Sequence, residues 1–203
     1  MQNDSQIGRN FFERNTVIIA RELLGMHLVK IEHGIRIEGI INETEAYCGE
    51  KDLGCHAKAG RTPRTNVMYG PAGHAYVYFT YGMHWLLNFV TEDENFPAAV
   101  LIRSVIPIKG IEIIAQRRQG RPQSSWTDGP AKLCQAFNID GQFNGYDLCK
   151  PGAILYAKFG DPIADINVTT SPRVGLNNVP EPWKSKPWRF YTHPDFIQNG
   201  GLK

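Results

Sequence analysis

The amino-acid sequence predicts one mixed α+β domain built around an antiparallel β-sheet. Several short segments alternate apolar and polar residues, which is typical of half-buried strands, and others have the apolar spacing of helices. No repeat, low-complexity segment or linker divides the 203 residues. Because a chain of this length can bury a core without metal or disulfide staples, residues 1–203 are predicted to form a single domain, with residues 1–10 as a flexible tail.

The first elements are predicted to be a short helix and a β-hairpin. Residues 16–24 have apolar side chains at helical spacing, with Asn15 placed to cap the start and Gly25 to end the helix. Residues 26–32 and 35–47 are predicted strands joined by a His-Gly turn. Alternating isoleucines would put one face of the second strand against the core: Ile35, Ile37 and Ile41. Three polar side chains share that parity and are predicted on the same face: Glu43, Glu45 and Tyr47.

The middle of the chain is predicted to be a long loop followed by a second hairpin. Residues 48–73 are rich in Gly, Pro, Thr and Arg, and a loop of this length within a compact domain is usually functional. Residues 75–80 and 84–91 are predicted strands around a tight turn, which places Tyr81 at the tip of the hairpin.

One more strand and two helices are predicted before the C-terminal region. Residues 98–105 form an apolar strand that is interrupted by one charge, Arg103. Residues 111–119 are predicted as a basic helix, and residues 130–137 as a second helix that begins at a proline, whose fixed φ suits the first helical position. The region 153–191 is expected to contain short strands and proline-rich turns.

The composition is that of an ordinary globular protein. Hydrophobic residues make up 42% and charged residues 21% of the chain, and no segment approaches the roughly 18 apolar residues of a membrane span. The N-terminus lacks the basic and apolar regions of a secretory signal, so a soluble cytoplasmic protein without a membrane partner is expected. The four cysteines form no C-x-x-C pair, which favours buried thiols over a metal site.

Basic residues are unevenly distributed, although the net charge is only +2. Residues 53–91 contain no Asp or Glu, while Arg61 and Arg64 fall inside this segment. Residues 95–127 contain five basic residues against one acid, Glu112. Solvated surface charge explains any single one of these residues, whereas the whole pattern favours binding to a polyanion.

Two glutamates on one predicted strand are candidates for acid–base chemistry. Hydrolysis of a glycosidic bond needs a carboxylate that activates water and offsets the positive charge developing at the sugar carbon. Parity alone does not distinguish Glu43 from Glu45, and either could be a surface glutamate in an ion pair. Arg103 lies among aliphatic residues and needs an anion nearby, which could be a structural partner, the catalytic carboxylate, the attacking water or a phosphate.

Other side chains suit the recognition of a base but also have structural explanations. Tyr81, an aromatic residue at an exposed turn, gains little from a core and suits a wedge between base pairs. His56 could bond a purine edge, bind a metal or be an incidental loop histidine. Asn88 lies within an apolar strand, where a buried amide must be hydrogen-bonded, either in a core network or to a base. Tyr76 is predicted to pack in the core.

Several motifs follow one another along residues 11–191. They are E-T-E-A-Y at 43–47, His56, R-T-P-R at 61–64, Y-V-Y-F-T-Y-G-M at 76–83, Asn88, V-L-I-R at 100–103, G-P-A-K-L-C-Q-A at 129–136, R-V-G at 173–175 and P-W-R-F-Y at 187–191. Together they closely resemble the alkyladenine (3-methyladenine, methylpurine) DNA glycosylase family. The resemblance implies a curved antiparallel sheet surrounded by helices, with a protruding β-hairpin that enters DNA.

The resemblance also implies a role for each matching position. Glu45, the second glutamate of its motif, would be the general base, and Arg103 would lie on the phosphate and water side of the site. Four residues would form the base pocket: Tyr47, His56, Tyr78 and Asn88. Asn88 would clash with the 2-amino group of normal guanine, and Tyr81 would fill the gap left in the DNA stack. Five residues would contact the DNA backbone: Arg61, Thr62, Arg64, Met83 and Lys132.

The implied reaction is the release of a damaged purine from double-stranded DNA. The familiar substrates would be 3-methyladenine, 7-methylguanine, hypoxanthine and ethenoadenine, with water as the nucleophile and an abasic site as the product. The family is not known to use a metal or cofactor, so none is expected. A monomer suffices for one lesion, and a bacterial member would associate with the nucleoid. Two alternatives remain: a non-catalytic nucleic-acid module, which would not need Glu45, and a hydrolase of free nucleosides, which would not need Tyr81.

Overall fold

Eight strands in the described part of the chain form one antiparallel sheet. The computed structural model describes residues 5–198. The strands are β1 (His27–Glu32), β2 (Ile35–Cys48), β3 (Ala75–Thr80), β4 (His84–Val90), β5 (Ala98–Lys109), β6 (Leu155–Lys158), β7 (Thr169–Ser171) and β8 (Arg189–Tyr191). The α-helices are α1 (Arg9–Phe12), α2 (Thr16–Glu22), α3 (Ile111–Arg117), α4 (Pro130–Phe137) and α5 (Pro194–Gln198). The predicted α+β class and single domain are confirmed.

The strand order places β2 in the interior of the sheet. The order is β3-β4-β5-β2-β1-β6, and β8 pairs with both β2 and β7. The first part of β2 pairs with β1 and the later part with β8, while β5 pairs along its other edge. Residues 43–45 are therefore held between two neighbouring strands.

One face of the sheet carries the main hydrophobic core. Helix α2 packs there with Ile19 and Ala20, and helix α4 packs with Leu133 and Phe137, all fully buried. The predicted cap of α2 is confirmed, because the side chain of Asn15 accepts hydrogen bonds from two backbone N–H groups of the first turn. The sheet contributes alternating residues to this core: Ile37, Ile41, Ala46, Ala75, Val77, Leu87, Phe89, Val100 and Ile102.

A double β-bulge changes the face that the later part of β2 presents. The pairing of β2 with β5 skips Asn42 on β2 and Arg103 on β5. Because side chains alternate along a strand, an extra residue moves every later side chain to the other face. Thr44 and Ala46 therefore point into the core, while Glu45 lies on the opposite face. The prediction that the carboxylates share the face of the alternating isoleucines is wrong.

Two predictions about the periphery are also wrong. Ile35 is 49% exposed rather than packed in the core, because it stands beside the turn at the very start of β2. Residues 6–10 do not form a flexible tail: Ile7 is 1% exposed, and Gln6 bridges to the edge strand β6. The burial of Ile7 in the core and the pairing of Gln6 with β6 together hold this segment in place. Residues 1–4 lie outside the described residues.

The segment between β2 and β3 covers the opposite face of the sheet. The long predicted loop contains two 3₁₀ helices, His56–Ala59 and Asn66–Tyr69. A second apolar cluster joins this segment to the sheet: Cys55, Ala57, Met68, Tyr76, Val90 and Ala99. A cavity remains between this layer and the strands. Within the described residues, no helix is long and apolar enough to span a membrane.

Candidate active site

A cavity of about 360 Å³ opens on the face of the sheet opposite the main core. The strands contribute Tyr47, Tyr78, Asn88, Leu101 and Arg103 to its lining. His56 and Met68 line it from the covering segment, and residues 174–176 close another side. Cavities of this size hold small organic ligands. The structure thus brings the four predicted base-pocket residues and Arg103 into one cavity.

Glu45 lies directly behind the cavity wall, with its side chain fully buried. Its Oε1 accepts a hydrogen bond from the backbone N–H of Val174 at 2.7 Å, and its Oε2 accepts one from the Tyr47 hydroxyl at 2.7 Å. The guanidinium of Arg103 lies 3.3 Å from Oε1. Such donors and an opposite charge compensate a buried carboxylate for the loss of its hydration. Each carboxylate oxygen has two lone pairs, so Oε2 can accept a further hydrogen bond, for example from water.

Glu43 anchors the cation that faces Glu45. Its Oε1 accepts hydrogen bonds from Arg103 Nε and from Arg189 Nε, both at 2.6 Å. Arg103 occupies the bulge on β5, and bulges beside active sites commonly re-aim a side chain. The geometry therefore separates the two glutamates that strand parity left equivalent. Glu43 orients Arg103, whereas Glu45 accepts hydrogen bonds from Val174 and Tyr47, which also line the cavity.

Tyr47 joins the cavity to Glu45. Burial and the neighbouring Glu45 carboxylate raise the pKa of Tyr47 well above its ordinary value. The phenol therefore stays protonated and acts as a hydrogen-bond donor to Glu45. Its ring meanwhile forms part of the cavity lining.

Three aromatic rings form a cluster at one end of the cavity. His56 Nδ1 and the Tyr76 hydroxyl are hydrogen-bonded at 3.0 Å. The rings of His56 and Tyr78 meet edge to face, with centroids 4.5 Å apart, and the rings of Tyr76 and Tyr78 are 5.4 Å apart. Tyr76 is only 2% exposed, which confirms its predicted place in a core, yet it also borders the cavity. An aromatic cluster of this kind suits the binding of a planar heterocycle.

The imidazole of His56 is expected to be neutral at neutral pH. Burial, together with the positive charges of Arg64 and Lys58, lowers the pKa of His56 to about 4. A ¹³C–¹H NMR titration should give a midpoint near this value, and Arg64→Gln should move the midpoint upward. A midpoint at the ordinary histidine value would contradict the expectation. Because the unfolded chain binds this proton more readily, the group makes stability rise with pH between the two values.

Asn88 is hydrogen-bonded within the sheet and also lines the cavity. Its side chain is 3% exposed, and its Nδ2 donates to the Tyr76 carbonyl oxygen at 3.0 Å. The same side chain lines the cavity. The amide is therefore held rigidly by the sheet and presents a fixed shape to a ligand.

The tip of the β3–β4 hairpin exposes two large side chains, of which Tyr81 also lines the cavity. Tyr81 is 87% exposed and Met83 is 67% exposed. Tyr81 has a φ of 51°, which is rare for an aromatic residue, and Gly82 continues the turn with a φ of 67°. Below the tip, the rings of Phe79 and Trp85 pack at 4.7 Å. An exposed aromatic ring thus sits on a braced turn.

The four polar side chains predicted to contact the DNA backbone lie at different distances from the cavity. Arg64 is exposed, and its guanidinium lies 4.9 Å from the centre of the Tyr78 ring. Arg61 donates to Asn66 at 2.9 Å, and the Thr62 backbone N–H donates to a neighbouring hydroxyl at 2.8 Å. Lys132, in the first turn of α4, forms an ion pair with Asp128 at 2.8 Å. Only Arg64 touches the aromatic cluster.

The basic zone at residues 95–127 is partly neutralised by acidic residues from other parts of the chain. Three of its side chains are paired with glutamates: Arg103 with Glu43, Lys109 with Glu38, and Arg117 with Glu32. These carboxylates come from β1 and β2, far away in the sequence, so the local composition did not show them. Arg61 and Arg64, in the acid-free segment, are exposed as predicted.

Sequence reasoning missed a group of residues around Glu45. Val174 supplies a backbone donor, while Asp52 and Arg173 form a fully buried ion pair behind it. R-V-G at 173–175 is one of the quoted motifs, but it indicated no role for these residues. Nothing in the sequence connects Asp52 with Arg173. The four cysteines are free thiols. Within residues 5–198, no group of three or more His, Cys, Asp or Glu side chains could hold a metal ion.

Comparison with known proteins places this chain in a family. The family model for methylpurine-DNA glycosylase matches residues 10–195 of this chain. A protein of Carboxydothermus hydrogenoformans, provisionally named a 3-methyladenine DNA glycosylase, is 45% identical over 183 residues, which cover 90% of this chain and 93% of the relative. Relatives with the same provisional name occur in Myxococcus xanthus (43% identity; 90% and 87% coverage) and Methanocella arvoryzae (45%; 90% and 90%).

These findings define the class of protein. The chain is a DNA glycosylase, a hydrolase of N-glycosyl bonds that acts in DNA repair by base excision. It belongs to the methylpurine-DNA glycosylase family.

Proposed function

We propose that this enzyme flips an alkylated or deaminated purine out of duplex DNA into the cavity and hydrolyses its N-glycosidic bond with a water activated by Glu45. The observation that carries the proposal is the position of one fully buried carboxylate, held by two hydrogen-bond donors and an arginine, against an aromatic cavity beside an exposed aromatic hairpin tip. The product is an abasic site in an intact strand.

The hydrogen bonds of Glu45 suit a general base. Val174 and Arg103 engage Oε1, so Oε2 is the oxygen that takes the proton of the attacking water. As the glycosidic bond breaks, positive charge develops at the sugar carbon, and the nearby carboxylate stabilises it. Arg103 forms an ion pair with Glu45 and lies at the cavity, where the water or a phosphate oxygen can bind.

The cavity lining suits a flipped purine. The rings of Tyr47 and Tyr78 offer stacking faces, and the neutral imidazole of His56 can donate or accept a hydrogen bond at the purine edge. Rigid Asn88 is placed to exclude the 2-amino group of normal guanine. Positively charged bases such as 3-methyladenine and 7-methylguanine leave without further protonation. Neutral hypoxanthine and ethenoadenine depend more on protonation by an acid. Because the imidazole of His56 is neutral at neutral pH, His56 is a poor donor of that proton.

Water rather than a protein amine is the proposed nucleophile. The described residues that line the cavity include no lysine, and Lys132 is paired with Asp128. Without a Schiff base, the enzyme has no step that breaks the DNA strand. The reaction is therefore monofunctional, and one chain contains every residue that it uses.

A panel of single-lesion duplexes tests this function. Excess enzyme is incubated with duplexes that each contain one hypoxanthine, one ethenoadenine, one 7-methylguanine or only normal bases. Strand cleavage that appears only after hot alkali, and only in lesion duplexes, is the expected result. If no lesion is released, and methylated DNA also yields no 3-methyladenine, the proposed function is wrong.

Tyr81→Ala is expected to slow excision from duplex DNA by about tenfold or more, since base stacking on an aromatic ring is worth about 1–3 kcal/mol. The reason is that Tyr81 fills the space of the flipped base and so stabilises the extrahelical state. Ile166→Ala, which truncates a 93% exposed residue outside the cavity lining, is the control and should leave the rate unchanged. Equal rates for Tyr81→Ala and the wild type would favour a hydrolase of free nucleosides.

Five residues are proposed to hold the DNA backbone on either side of the lesion: Arg61, Thr62, Arg64, Met83 and Lys132. The backbone and side-chain donors in this group suit phosphate oxygens, while Met83 adds an exposed apolar contact beside Tyr81. Lys132 lies in the first turn of α4, where the helix dipole also favours an anion.

A further inference from the structure

A buried ion pair lies behind the cavity, between the end of β2 and the segment that follows β7. The side chains of Asp52 and Arg173 have no exposed surface. Arg173 Nη1 donates to Asp52 Oδ2 at 2.5 Å, and Nη2 donates to Oδ1 at 2.8 Å. Neither residue is needed for the chemistry proposed above. Burial of two charges is costly, and its benefit is often conformational specificity rather than stability.

Arg173 reaches both hydrogen-bond donors of the Glu45 carboxylate. Val174, the next residue in the chain, donates its backbone N–H to Oε1 at 2.7 Å. Tyr47 donates its hydroxyl to Oε2 at 2.7 Å, and its ring centre lies 4.7 Å from the Arg173 guanidinium. Arg173 Nη1 also donates to the carbonyl of Ala46, between Glu45 and Tyr47, at 3.0 Å. One guanidinium therefore supports three points around the carboxylate.

The segment that carries the Val174 donor has weak support of its own. The Val174 side chain is 48% exposed, and Gly175 has a φ of 83° with no atom close to the place of a Cβ. The position of the Val174 N–H therefore depends on the buried arginine that precedes it. Asp52 in turn accepts hydrogen bonds from two backbone N–H groups, one at the end of β2 and one shortly beyond it. The pair thus ties the segment to the strand that bears Glu45.

We propose that Asp52 and Arg173 are positioning residues for Glu45, an inference that rests on the general-base role of Glu45 in the proposed function. Their bidentate pair holds the Val174 N–H and the Tyr47 ring so that both donors meet the carboxylate. Loss of this geometry misplaces the base and weakens the hydrogen bonds that favour its ionised form.

Arg173→Lys is the main test. Lysine keeps the positive charge but cannot form the two-armed contact with Asp52 and Ala46. The single-turnover excision rate should fall about 10- to 100-fold, with little change in affinity for lesion DNA, since a displacement of about 1 Å in an active site has effects of that size. The acid limb of the rate–pH profile should move to higher pH. Three charged groups near Glu45 keep their identity in this variant: Glu43, Arg103 and Arg189.

A matched control separates positioning from general stability. Arg117 also bridges a carboxylate and a backbone carbonyl, with Glu32 at 2.7 Å and Ala136 at 3.1 Å, but it does not line the cavity. Arg117→Lys should lower the melting temperature without moving the pH profile. Asp52→Asn provides a second variant, because the direction in which it moves the acid limb of the rate–pH profile distinguishes positioning from a direct charge effect. Removal of a negative charge acting through space would lower the pH of the acid limb, whereas loss of positioning raises it.

A readout without turnover keeps this inference distinct from the proposed function. The Glu45 carboxyl is followed by ¹³C NMR in labelled protein and is assigned with Glu45→Gln. Titration of this carboxyl at higher pH in Arg173→Lys and Asp52→Asn than in the wild type supports positioning, even if the wild type releases no base. An unchanged or lower titration in both variants overturns the inference, whether or not the wild type is active.

Discussion

Replacement of Glu45 with glutamine is expected to lower the single-turnover rate of base excision by about 10³-fold, since a positioned general base contributes about 10²- to 10⁴-fold. Glutamine keeps the size of the side chain but cannot take a proton from water or stabilise the positive sugar carbon. It also replaces one acceptor oxygen with an NH₂ group that must face a donor, either the Val174 N–H or the Tyr47 hydroxyl. Affinity for lesion duplex should change little, because Glu45 lies behind the cavity wall.

Glu43→Gln is the matched control for this experiment. The same substitution, two residues earlier on β2, weakens the anchoring of Arg103 and Arg189 but leaves Glu45 in place. The excision rate should fall by only about tenfold, the effect of a loosened supporting group. Rates are measured with excess enzyme on an ethenoadenine duplex, and binding is measured by fluorescence anisotropy. A larger loss of rate for Glu43→Gln than for Glu45→Gln would show that Glu45 is not the general base.

Glu38→Gln is expected to destabilise the fold by about 3–5 kcal/mol, the usual cost of breaking a buried ion pair. Glu38 is 1% exposed and faces four basic side chains: His27 at 2.5 Å, Arg36 at 2.7 Å, Lys158 at 3.0 Å and Lys109 at 3.4 Å. A neutral amide removes the buried negative charge that these four groups share. Urea unfolding of the wild type and the variant measures the loss.

The same cluster makes stability depend on acid pH. Burial alone would raise the pKa of Glu38, but hydrogen bonds from His27 and Lys158 and the charge of Arg36 lower it to about 2. Because the folded value lies below the unfolded value of 4.5, the stabilisation is complete above the unfolded value and is lost as pH falls through about 2. This difference corresponds to about 3 kcal/mol. Glu32→Gln, at a carboxylate that is 17% exposed, should cost less; equal losses for Glu32→Gln and Glu38→Gln would contradict this account.

Local patterns in the sequence predict most of the elements that build the site. The period-two alternation of 75–80 and 84–91 and the proline at 130 predict the second hairpin and helix α4, both of which are confirmed. Turn chemistry also places Tyr81 at an exposed tip. These predictions succeed because they depend on neighbouring residues.

Features that depend on distant residues could not be predicted in this way. The bulge at Asn42 and Arg103 arises from the pairing of β2 with β5, and it moves Glu45 from the core face to the cavity face. The Asp52–Arg173 pair joins residues that are 121 positions apart. The sequence around Glu38 does not show that basic side chains from three other strands, in addition to Arg36 of its own strand, surround it. In each case, tertiary contacts override the local pattern.

The central claim is that a water activated in this cavity releases a damaged purine and leaves the DNA strand intact. The most direct measurement uses one ethenoadenine duplex and wild-type enzyme in single turnover. One portion of the reaction is left untreated, one is heated with alkali afterwards, and one is run in the presence of sodium borohydride. The account predicts release of the free base, strand cleavage only after alkali and no borohydride-trapped covalent complex. Strand cleavage without alkali together with a trapped complex would contradict it, because both require an amine nucleophile of the protein.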